Sequence, residues 1–113
     1  MNGITTHVLD TSQGRPARGV PVSLEVRSED GDWKELGHSA TDGDGRAILL
    51  TSRSQVPRGV YRISFDTGAY FRATNVEGFY PEARIVFEVR QPCPRCHVPL
   101  LLSPYGYSTY RGS

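Results

Sequence analysis

Few side chains in this sequence can move a proton, hold a metal or attack a carbonyl, and they are scattered along it. Three histidines stand at His7, His38 and His97, and the two cysteines are Cys93 and Cys96. A histidine with its unperturbed pKa of ~6.5 can act as a general base near neutral pH, typically worth ~10²–10⁴-fold in rate. Taken alone, each histidine on a β face reads as a structural hydrogen-bonding residue. Arg46 follows the turn Asp42-Gly43-Asp44-Gly45 and reads alone as a solvated surface arginine. Its guanidinium is nonetheless always cationic and can grip a planar acceptor through two parallel hydrogen bonds.

The densest cluster is Cys93-Pro94-Arg95-Cys96-His97. It matches C-x-x-C-H, the pattern of covalent c-type haem attachment, in which two thioethers and an axial histidine hold the group. Against haem stand the absence of a leader typical of the compartment where it is attached and the restriction of methionine, the usual sixth ligand, to Met1. A closed structural zinc site needs four ligands, and this pair supplies two with no second cysteine pair to join it. If the segment is extended, a disulfide is out of reach, because at ~3.3 Å per residue the Cα atoms lie about 10 Å apart. A turn at Pro94 would bring them together. The simplest reading is two reduced thiols near the start of a strand.

The elements that must position these groups have a period of two. In Val20-Pro21-Val22-Ser23-Leu24-Glu25-Val26-Arg27 apolar residues alternate with others, as on a half-buried strand. Pro21 suggests an edge or an unpaired N–H there. Tyr61 to Asp66 and Arg84 to Arg90 alternate likewise, with Val86 the one exception. Weaker strand candidates are Thr6 to Asp10, Trp33 to Thr41, Ala47 to Thr51 and His97 to Leu102. On the first of these, Thr5, His7 and Leu9 share one face. Asp30-Gly31 and the Asp-Gly pairs at 42–45 predict hairpin turns, since glycine accepts positive φ freely. Residues 11–19 read as a loop, and Thr67 to Asn75 as a short helix weakened by Gly68. Seven or eight short strands punctuated by turns predict an all-β sandwich or barrel.

The 113 residues suffice for one domain with an ordinary core. A formal net charge of +1 gives no electrostatic reason to expect nucleic acid or an anionic membrane as partner. No apolar run approaches the ~20 residues that span a bilayer, and the first residues lack a charged and then apolar leader. The expectation is a cytoplasmic protein.

The stretches "TTHVLDTSQGRPARGVPV", "DGDGR" and "HVPLLLSPYGYSTYRGS" resemble the 5-hydroxyisourate hydrolases, also called transthyretin-related proteins. Tyr110-Arg111-Gly112-Ser113 matches the signature tetrapeptide that separates these enzymes from true transthyretins, hormone carriers of the same fold. The resemblance runs in order along essentially the whole chain. It implies one transthyretin-like domain over residues 1–113, a sandwich of two four-stranded sheets with one short helix, assembled as a homotetramer that is a dimer of dimers. It also implies hydrolytic opening of 5-hydroxyisourate to 2-oxo-4-hydroxy-4-carboxy-5-ureidoimidazoline in urate catabolism, with no metal or other cofactor. Matched to the family's functional positions, His7, Arg46, His97 and Ser113 would be catalytic, and His7, Arg46 and Tyr110 would bind substrate, at the dimer–dimer interface. Cys-Pro-Arg-Cys before His97 departs from the aromatic or histidine-rich sequence expected there. Two other classes compete: a transthyretin-like carrier of a small aromatic ligand, and a structural sandwich with surface histidines. The first is disfavoured by the joint presence of His7, Arg46, His97 and the terminal tetrapeptide, and the second leaves that tetrapeptide unexplained.

Overall fold

Strict alternation requires each strand to bury one face, and the chain satisfies this by packing two sheets together. The computed structural model describes residues 2–52 and 54–113; Met1 lies outside them. In order these are β1 (Asn2–Asp10), β2 (Arg15–Pro16), β3 (Pro21–Arg27), β4 (Trp33–Ala40), β5 (Arg46–Ser52), β6 (Gly59–Phe65), α1 (Thr67–Ala73), β7 (Ala83–Val89), β8 (Arg95–Ser103) and β9 (Gly106–Thr109). One sheet runs β5-β1-β8-β9, and the other β4-β3-β6-β7. The two-residue β2 pairs with the Asp10 end of β1 and makes the first sheet five-stranded. It lies within the segment expected to be loop throughout. The two expected layers and the helix are present, with α1 two residues shorter than its expected span.

The first sheet places chain ends side by side. β1 is antiparallel to β5 but parallel to β8, with Thr5 opposite His97 and His7 opposite Pro99. Even-numbered residues of β1 turn inward: Ile4, Thr6, Val8 and Asp10 are buried. Ile4 and Val8 share one core with Leu100 and Leu102 of β8 and with Leu24, Ile63 and Phe65 of the second sheet. Each such side chain, fully buried, stabilises the fold by about 1.5–3 kcal/mol relative to exposure. Thr6 is tolerated among them because its hydroxyl donates to the Val98 carbonyl at 2.6 Å.

Pro21 is not on an edge. It opens β3, an interior strand, and as first residue it removes only one terminal ladder bond. Val86 does keep the alternation, on the solvent side and 56% exposed, while Ile85 and Phe87 turn inward. Asp30-Gly31 makes the expected β3–β4 hairpin. The 42–45 turn does not: it carries the chain from β4 in one sheet to β5 in the other. α1 forms despite Gly68, because Asp66 caps it by accepting from the Ala69 N–H at 2.9 Å and because Tyr70 and Phe71 are buried. The Tyr70 hydroxyl donates to Asp10 at 2.7 Å and ties the helix to the end of β1. No helix is long and apolar enough to cross a membrane among the described residues.

Candidate active site

Directly opposed residues share a face of a sheet, so register alone gathers the candidates. His7 lies opposite Arg46 across the β1–β5 ladder. His97 lies opposite Thr5, two residues along β1 from His7 and on the same face. Strand geometry puts the two histidine Cα atoms about 8 Å apart and His7 about 5 Å from Arg46. All three occupy the face of the sheet turned away from the core.

The crossing turn fixes Arg46 and His7 together. Asp42 Oδ1 accepts the backbone N–H of Asp44 at 2.9 Å and of Arg46 at 3.0 Å. These two bonds, that to Arg46 foremost, hold the Asp42 carboxyl below its usual range. Gly45 has φ +77°, and a Cβ there would lie 2.4 Å from the Val8 carbonyl oxygen, so only glycine closes this corner. The turn presents the Asp44 carbonyl 2.8 Å from His7 Nε2. A carbonyl only accepts, so Nε2 carries a proton and, in neutral His7, the lone pair is on Nδ1. Among the described residues no ion pair engages the Arg46 guanidinium.

His97 is half-buried, with Nδ1 2.8 Å from the Thr5 hydroxyl. Burial first, then the neighbouring charges of Arg46 and His7, push its pKa below the usual histidine value. The shift favours its uncharged form at pH 7. Because the Thr5 hydroxyl can donate or accept, His97 can hold its proton on either nitrogen.

The last residues continue the β8–β9 register past the end of β9. Leu100 pairs with Thr109 and His97 bridges Gly112, whose N–H donates to the His97 carbonyl at 2.8 Å. The same register sets Tyr110 opposite Pro99, on the face that carries His7 and His97. A Cβ at Gly112 would come within 2.6 Å of the His97 ring, so the glycine makes room for the imidazole. Tyr110 and Ser113 are exposed, and with His97 they line a groove of about 1040 Å³ between β7 and the paired β8 and terminal segment. His7 and Arg46 do not line this groove; they sit farther along the outer face. His38 belongs to the other sheet and joins none of them.

Three contributors escaped the sequence reading: the Thr5 hydroxyl, the Asp44 carbonyl and the small size of Gly112. Thr5 was visible only as a residue sharing the face of His7, and the parallel register that brings it to His97 has no local sequence signal. Among the described residues no three His, Cys, Asp or Glu side chains group as they would to hold a metal ion.

Residues 4–112 match the model of the HIUase/Transthyretin family. The mouse 5-hydroxyisourate hydrolase is 44% identical over 111 residues, covering 97% of this chain and 94% of its own. The 5-hydroxyisourate hydrolase of Klebsiella pneumoniae superposes with a TM-score of 0.84 at 36% identity, over 100% of both chains. Sea bream transthyretin in complex with thyroxine superposes with a TM-score of 0.87 at 32% identity, over 96% of this chain and 93% of its own. The fold, the shared face of His7, Arg46 and His97, and these likenesses agree: the chain belongs to the HIUase/transthyretin family.

Proposed function

We propose that this protein is a 5-hydroxyisourate hydrolase, acting through His7, Arg46, His97, Tyr110 and Ser113. The observation that carries the reading is the convergence of His7, Arg46 and His97 on one exposed sheet face, with a guanidinium free of ion pairs among the described residues beside an imidazole whose pKa is lowered. The names borne by the mouse and Klebsiella relatives support the same substrate.

In this reading a water molecule attacks the ring carbonyl and gives its proton to His97 Nε2, the nitrogen left free by Thr5. The oxyanion that develops is met by Arg46, whose donors are unspent and whose charge is fixed. Cleavage of the carbon–nitrogen bond needs a proton on the leaving nitrogen, and the imidazolium of His97 returns it. His7, anchored through Nε2 on Asp44, offers Nδ1 to orient the water or the ring. Tyr110 packs its ring edge on the heterocycle, and Ser113 supplies a hydroxyl and the terminal carboxylate. The product is 2-oxo-4-hydroxy-4-carboxy-5-ureidoimidazoline, and no metal is needed, because histidine and arginine cover both proton transfer and charge stabilisation.

The whole chain, residues 1–113, works in this reading as one hydrolase domain. The working assembly is a homotetramer whose dimer–dimer interface covers the site. Ile48, 56% exposed and opposite Thr5 on the catalytic face, supports a partner there, since a large apolar side chain beside the site otherwise meets only water.

The test is direct. 5-Hydroxyisourate is generated in situ from urate with urate oxidase, the protein is added, and the intermediate's ultraviolet absorbance is followed. Accelerated decay is expected; decay at the spontaneous rate overturns the reading. A transthyretin-like carrier would bind an aromatic ligand without accelerating that decay.

A further inference from the structure

The hydrolytic reading leaves the Cys-Pro-Arg-Cys segment without a role, yet the fold positions it closely. Cys93 Sγ and Cys96 Sγ lie 2.7 Å apart. The chain bends at Pro94 rather than running extended, and the bend is pinned from both sides. Cys93 exchanges two backbone bonds with Val56, its carbonyl accepting at 2.6 Å and its N–H donating at 3.2 Å. The Pro94 carbonyl accepts from the Gly3 N–H at 2.9 Å, and Cys96 is already in the β8 ladder opposite Ile4. The two sulfurs are thus brought together by backbone fixed elsewhere. A disulfide bond of ~2.05 Å needs them to close by only about 0.7 Å.

We propose that Cys93 and Cys96 form a reversible dithiol–disulfide site at the head of β8, with a low-molecular-weight disulfide as its oxidant. Both cysteines are half-buried free thiols and both line the groove beside β7, so a small reagent reaches them. The roles of the two sulfurs are distinct. Burial, and then the hydrogen bond with Cys93, push the Cys96 thiol up to about 12. Cys96 therefore ionises reluctantly, which leaves Cys93 as the attacking sulfur. The Cys93 thiolate displaces one thiolate from the oxidant and forms a mixed disulfide. Cys96 then gives up its proton and attacks Cys93 Sγ, expelling the second thiol. Two protons and two electrons leave the protein, and the oxidant departs as two thiols. Hydrolysis of 5-hydroxyisourate is not required for any of this: consecutive strand residues face opposite ways, so Cys96 packs against the core while His97 turns outward.

The experiment treats the full-length reduced protein with glutathione disulfide, quenches with acid and measures intact mass and alkylatable thiols. The expected product has lost two hydrogens, carries no glutathione and has no alkylatable thiol, and dithiothreitol restores both thiols. Cys96→Ser is expected to stop at a glutathione adduct on Cys93, and Cys93→Ser to react at least ~10-fold more slowly than Cys96→Ser. Wild-type protein that accumulates one or two stable glutathione adducts, or keeps both thiols alkylatable, overturns the proposal. The wild-type measurement decides the matter even if a variant fails to fold.

Discussion

The two outer faces of the sandwich carry the same kinds of residue and use them differently. On the β4-β3-β6-β7 face, Arg62 is spent. Its Nη2 lies 2.7 Å and its Nε 2.8 Å from Glu25 Oε1, and its guanidinium stacks 4.3 Å from the centre of the Trp33 ring. His38 on that face sits 3.9 Å from Glu35. On the β5-β1-β8 face, Arg46 is held by its backbone while no ion pair among the described residues engages its guanidinium, and each histidine has one ring nitrogen engaged. What separates the two arginines is hydrogen-bonding capacity, spent on Glu25 in Arg62 and unspent in Arg46 among the described residues. The histidines differ otherwise: His38 is the most open of the three and too far from Glu35 for a hydrogen bond, whereas His7 and His97 are each oriented by one.

The comparison is broken most severely by removing the terminal segment. Deleting Tyr110 to Ser113 is expected to abolish 5-hydroxyisourate hydrolysis in the absorbance assay while far-ultraviolet circular dichroism stays that of a β protein. These residues follow β9 and bury no core side chain. Next comes the arginine pair. Arg46→Ala should lower kcat by ~10²–10³-fold, the scale of a lost oxyanion donor, with no loss of stability. Arg62→Ala should do the reverse, lowering stability and sparing kcat. Equal kinetic effects of the two would remove the distinction between the faces.

The pH profile sharpens the same point at His97. Its lowered pKa means that the acid limb of kcat/KM falls at a pH below ~6.5. The same shift makes acid costly to the fold. As pH drops through ~6.5 the unfolded chain takes up a proton that folded His97 refuses, so stability declines until pH passes below the folded value. A limb centred above ~6.5 would mean that a different group controls activity. A smaller change tests the packing behind this ring. Gly112→Ala, which puts a methyl 2.6 Å from the imidazole, should cost roughly tenfold in kcat/KM by tilting His97.

The sequence carried these faces unevenly. Alternation marked the strands whose inner residues are now core, from Leu24 to Val89, because a strand that buries one face must write its period into the chain. The ends were poorer. β1 begins four residues before its expected start, and β5 begins at Arg46, one residue before its expected start. The resemblance of "HVPLLLSPYGYSTYRGS" named His97, Tyr110 and Ser113, but no local pattern showed that they run antiparallel in one register from Ser103 to Gly112. Contacts across 92 residues, such as Thr5 with His97, depend on the parallel β1–β8 pairing, which is decided by global packing. The bend at Pro94 was open in the sequence, and backbone bonds to Val56 and Gly3 decide it.

The smallest expected effect lies on the spent face and is the cleanest control. Glu25 and Arg62 side chains are 23% and 17% exposed, drier than a free surface pair yet not fully withdrawn from water. A wholly exposed pair contributes about 0–1 kcal/mol, and a hydrogen bond to a charged group about 1.5–3 kcal/mol. With water still reaching both partners, a double-mutant cycle of Glu25→Gln and Arg62→Met should give a coupling of about 1 kcal/mol in urea unfolding. Raising the salt should shrink it only slightly, since a partly dry pair is weakly screened. Neither single variant should alter kcat, because among the described residues the side-chain partners of His7 and His97 and the carboxylate that holds Arg46 all lie outside the sheet carrying this pair. A coupling near zero would mean that Arg62 is held by Trp33 rather than by Glu25, and the Trp33→Leu variant would then carry the larger loss.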